Sequence, residues 1–130
     1  MVQNNKHDQR LQWLANNAGP IIKFRVINEL LHDESKVKPI KKDLLSSNLV
    51  KHWLQNLTPD TKTSALHGAN PQTYENTMGK LYEFGLKKGT PILDRKTAPF
   101  IQWLASQIDA PNVGYLPVFH RTLVSAFLAM

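Results

Sequence analysis

The residues of this 130-residue chain best suited to chemistry lie in one short run: His67, then Tyr74, Glu75 and Asn76. The pair His67-Gly68 belongs to a loop, and Glu75 falls near the start of the helical segment that follows. A carboxylate there is favoured by the positive end of the helix dipole. A histidine folded back onto that carboxylate forms a general acid/base pair. The same contact also suits a structural task, in which His67 or Glu75 hydrogen-bonds nearby groups and fixes the turn. On sequence grounds both readings stand.

The remaining histidines are His7, His32, His52 and His120, and none is paired at the three- or four-residue spacing of helical metal ligands. The chain has no cysteine, which removes disulfides, thiolate nucleophiles and sulfur-ligated zinc. No Gly-x-Ser-x-Gly elbow, phosphate loop or dinucleotide fingerprint is present, so neither metal nor cofactor is expected. Trp53 and Trp103 are candidates to line an aromatic pocket beside the His67 group, or to stack on bases. Set at helical spacing next to leucine, tryptophans more often pack a core.

The net charge of +6 admits anionic partners. The excess is dispersed, however: residues 1–70 hold ten Lys/Arg against six Asp/Glu, and residues 71–130 hold six against four. The one dense cluster is Lys36, Lys38, Lys41 and Lys42, a candidate nucleic-acid surface whose plainer role is a solvated helix face. No apolar run approaches the ~18 residues of a membrane span, and the N-terminus lacks a secretory pattern. A cytoplasmic protein fits these features.

The elements that must position these residues read as helices. The dipeptide Trp-Leu occurs as Trp13-Leu14, Trp53-Leu54 and Trp103-Leu104, spacings that suit helix-turn-helix repeats. Segment one spans about 7–17 and stops at Gly19-Pro20. Segment two spans about 20–32, with Ile22, Val26 and Leu30 on one stripe. Segment three spans about 39–57 with a period of about 3.6 residues, weakened at Ser46-Ser47-Asn48, where Ser47 or Asn48 can cap a second, shorter helix. Pro39 fits only near its start. Residues 58–70 lack apolar periodicity. Segment four spans 71–88, with Asn70 as cap and Pro71 first; Gly79 and Gly85 inside it suggest a helix or ligand close to the backbone. Segment five spans about 98–108, with Thr97 as cap and Pro99 in the first turn. After a loop at 110–114, segment six spans about 116–130 and is apolar on most sides. No period-two alternation marks a strand.

Several of these stretches resemble bacterial proteins of the terpenoid cyclase/protein prenyltransferase-like α/α-toroid superfamily. One is Trp13-Leu14-Ala15 followed by Pro20-Ile21-Ile22-Lys23-Phe24-Arg25 and Glu29-Leu30-Leu31. Another is Leu66-His67-Gly68-Ala69-Asn70-Pro71 leading into Tyr74-Glu75-Asn76, Gly79-Lys80-Leu81 and Phe84-Gly85-Leu86. The resemblance covers roughly residues 10–108 and implies an all-helical toroid-type fold. The departures are specific: Gln12-Trp13 and Gln102-Trp103 match two letters of the cyclase repeat without its glycines, no Asp-rich motif occurs, and the prenyltransferase zinc set needs a cysteine.

The expectation is therefore an all-α chain of about six helices in three antiparallel pairs, an arc of a toroid or helical-repeat array forming one domain over residues 1–130. Repeat arrays end in polar caps, and the apolar 124–130 end lacks one, so further helices or self-association are expected there. Three functions compete: part of a toroid with a pocket completed elsewhere, a HEAT-like protein-interaction scaffold, and a nucleic-acid-binding array.

Overall fold

The structure is a computed structural model and describes residues 2–111 and 114–130. The described residues form α1 (Val2–Asn17), α2 (Pro20–Arg25) continuing into a π-helical turn (Val26–Leu30), α3 (Glu34–Ser46), α4 (Asn48–Gln55), α5 (Thr63–Leu66), α6 (Tyr74–Glu83), α7 (Pro91–Ser106) and α8 (Tyr115–Leu128). The chain is all-α, with no strand among the described residues. The expected six helices become eight. Segment three divides at Ser47, whose ψ of 131° leaves the helical region. The unpatterned stretch before Asn70 forms the single turn α5, held by its buried Leu66. Of the expected loop at 110–114, Asn112 and Val113 lie outside the described residues.

Contacts divide the chain into two compact units, residues 1–51 and 52–130. In the first, α2 packs against both α1 and α3. A helix between two others buries more than one stripe, and Phe24, Val26 and Ile27 are all buried. Ile22 and Leu30, expected on the same stripe as Val26, are exposed. The backbone widens here: the Leu31 N–H bonds to the Val26 carbonyl at 2.9 Å, five residues back, so positions after Val26 leave the α-helical phase. His32 closes the turn with φ of +50°.

Trp13 is 63% exposed, against the expectation that the tryptophans are core. The half-buried stripe of α1 is Leu11, Leu14 and Ala15. Trp13 sits about 100° around the helix from Leu14, because each residue advances by that angle at about 3.6 residues per turn. Pro39 also departs from expectation, lying well inside α3. Its ring denies a donor to the carbonyl of Ser35, an exposed residue whose carbonyl solvent can satisfy.

In the second unit α8 packs against α5, α6 and α7. Val124 of α8 is fully buried, and Phe127 and Leu128 are half-buried. The core gathers Leu54, Leu57, Leu66, Tyr74, Met78, Leu81, Phe84, Leu86, Leu93, Phe100 and Val124. Helix α6 starts at Tyr74, later than expected, because Thr73 caps it by accepting the Asn76 N–H at 3.3 Å. The Asn70 side chain is occupied in its own turn, accepting the Gln72 N–H at 2.9 Å. Helix α6 ends in a Schellman motif at Gly85, φ +95°: the Gly85 N–H bonds to the Tyr82 carbonyl, and the Leu86 N–H to the Leu81 carbonyl. Helix α7 starts at Pro91, well before the expected start near 98, with proline at its first position. Thr97 is not its cap but a buried interior residue, its hydroxyl donating to the Leu93 carbonyl at 2.9 Å. Pro99 lies inside the helix and leaves the carbonyl of exposed Arg95 to solvent.

Candidate functional site

The loop between α5 and α6 is fastened to α6 by the residues singled out from sequence. His67 Nδ1 contacts Glu75 Oε2. The Asn76 amide donates to the Gly68 carbonyl at 2.8 Å and the Asn70 carbonyl at 2.9 Å. The His67 ring meets Phe119 of α8 edge-on, with centroids 5.0 Å apart. Gly68 takes φ of +138°, a region that disfavours any side chain. These contacts tie the loop to the helix: the amide protons of Asn76 are directed at loop carbonyls, and His67 reaches Glu75.

Beside the clamp lies a shallow hollow of about 500 Å³, lined by Trp53, Ala69, Pro71, Glu75, Asn76, Gly79, Lys80, Glu83 and Phe127. Of the six candidate site residues, Trp53, Glu75 and Asn76 therefore share one hollow, and His67 joins through its contact with Glu75. The Lys80–Glu83 ion pair, 2.7 Å, lies on the same wall. Tyr74 is only 2% exposed and belongs to the core, and Trp103 does not line the hollow. Burial pushes the Tyr74 hydroxyl well above the ordinary tyrosine range. Its proton is donated to the Val124 carbonyl at 3.0 Å.

A second concavity was not foreseen from the sequence. It is a groove of about 520 Å³ with a mainly apolar surface. Met78 and Tyr82 of α6 form one wall; Leu93, Thr97, Ile101 and Leu104 of α7 form another; Phe127, Leu128, Ala129 and Met130 close the third side. Leu86, Lys87, Lys88 and Gly89, in the turn between α6 and α7, make one end. Asp94 also borders the groove, and its carboxylate accepts the Gly89 N–H at 3.1 Å. Two sequence features lie here: Gly85 with Lys87 and Lys88, expected inside segment four, and the apolar breadth of the last segment. Neither locates a groove without knowing that α7 begins at Pro91.

The four-lysine cluster does not form one face. On α3, Lys38, Lys41 and Lys42 fall within about 100° of one another, and Lys36 lies roughly opposite, at ~100° per residue. Lys36 instead pairs with Asp33 at 3.0 Å. The Ser35 hydroxyl and Lys36 together hold the Asp33 carboxyl below the ordinary aspartate value. Arg25 is engaged by Glu29 at 2.8 Å. Among the described residues, no three His, Asp or Glu side chains gather to hold a metal ion, and no helix is long and apolar enough to cross a membrane.

No family model, curated protein or solved structure matches the chain.

Proposed function

We propose that this chain is a helical binding module whose second unit takes a small, mainly hydrocarbon molecule into the groove between α6, α7 and α8. The observation that carries this is the groove itself: about 520 Å³ of mainly apolar concavity, within the ~300–1,000 Å³ usual for small-molecule sites. Tyr82, Ile101 and Met130 on its walls stay exposed, and apolar surface left in water is a standing cost that a ligand removes. The same proposal takes the chain as akin to the α/α-toroid proteins that residues 10–108 resemble. In that light the chain is an arc of a helical array in the cytoplasm. The His67–Glu75 pair serves this module as a loop anchor, since Asn76 and Thr73 fasten the same loop.

The test is titration with a neutral, environment-sensitive hydrophobic dye. Binding should be saturable, and Ile101→Glu should weaken it about tenfold by placing a charge against the apolar chain. Ile101 is more than half exposed, so helicity by circular dichroism should stay intact. Unchanged dye affinity in a folded Ile101→Glu protein overturns the proposal.

A further inference from the structure

The groove is chemically lopsided. Its long walls are apolar, and its two cationic groups, Lys87 and Lys88, are adjacent in the turn that forms one end. Neither lysine has an ion-pair partner among the described residues. The one side-chain carboxylate among the lining residues, Asp94, accepts the Gly89 N–H. Along α7 the apolar wall runs from Leu93 to Leu104, about 16 Å at ~1.5 Å per residue. The site thus offers a long hydrocarbon track with positive charge at one end.

We propose that the ligand is a free single-chain anionic amphiphile, a long-chain fatty carboxylate, with its chain along α7 and its headgroup at Lys87 and Lys88. This rests on the groove being a ligand site. Charge complementarity selects the headgroup: a carboxylate gains from two unpaired ammonium groups, an alcohol gains little, and a quaternary ammonium is repelled. Track length selects one extended chain over a compact ring system.

The experiment displaces the neutral dye from the full chain with dodecanoate, 1-dodecanol and dodecyltrimethylammonium, each below its micellar concentration. Dodecanoate should displace at about fivefold lower concentration than dodecanol, the scale of one or two exposed charge contacts, and the ammonium should be weakest. In Lys87→Gln/Lys88→Gln the advantage of dodecanoate over dodecanol should vanish; Lys87→Arg/Lys88→Arg should restore it. Equal affinity for all three chains overturns the headgroup assignment and leaves the groove reading intact. A carboxylate preference that survives the double glutamine variant overturns the role of the lysines. Sedimentation with phosphatidylglycerol vesicles, without displacement of dye by dodecanoate, assigns the lysines to a lipid surface instead. No dye binding at all sinks the groove reading itself.

Discussion

Tyr74 shows how one side chain joins three helices of the second unit. Its ring lies 4.5 Å from Phe100 of α7 and meets Phe127 of α8 edge-on at 6.0 Å, and its hydroxyl reaches the Val124 carbonyl. Tyr74→Phe keeps the ring contacts and removes the hydrogen bond, so it should cost about 1 kcal/mol near neutral pH. The pH dependence follows from the raised hydroxyl pKa. Below about pH 10 folded and unfolded chains both hold the proton. Above it the unfolded chain releases the proton while the folded chain keeps it, so this group's contribution falls as pH rises. Urea denaturation at neutral pH and above pH 10 should show the stability gap between the native protein and Tyr74→Phe narrowing in alkali. A gap of constant size would contradict burial as the cause. The sequence placed Tyr74 both on a buried stripe and in a candidate pocket; only the packing of α8 over α6 separates those roles.

At the scale of the element, α6 carries a contrast between two glycines. Gly79 has a helical backbone, and a Cβ built on it meets only Phe127 Cε1, at an ordinary 3.9 Å. Gly85, with φ of +95°, closes the Schellman motif. Gly79→Ala should therefore stabilise the protein by about 0.4–1 kcal/mol, by lowering the freedom of the unfolded chain. Gly85→Ala should destabilise it by about 1 kcal/mol or more, because a Cβ clashes in the left-handed region. Thermal unfolding of the two variants should move in opposite directions; a shift of the same sign in both would break the argument. From sequence the two positions look alike, as glycines inside one helical segment. They differ because Gly79 lies within α6, whereas at Gly85 the helix has ended and the chain turns before α7. The starts of α3 and α7 depart from the sequence expectation for one reason: a proline suits the first turn of a helix, yet each helix runs through its proline where the orphaned carbonyl is exposed to solvent.

For the whole molecule, the groove, the hollow and the loop clamp are all built from residues of the second unit. A groove ligand should therefore slow hydrogen exchange in α6, α7 and α8 while leaving α1 to α3 unchanged. Protection spread evenly over both units would point to a different site. The apolar α8 packs on α5, α6 and α7 within its own unit, burying Val124 and leaving Tyr115, Leu116 and Val118 exposed.

By itself the sequence determined the all-helical class, the break at Ser47, and the closeness of His67, Glu75 and Asn76. All of these are local: helical periodicity, capping chemistry and residues at most nine positions apart are written in consecutive letters. Tertiary structure alone decided that Trp13 faces solvent, that Tyr74 is core, and that α6, α7 and α8 enclose a groove ending in Lys87 and Lys88. Those outcomes depend on which neighbour covers each face, and a helical pattern states only that a face is apolar, not what lies against it.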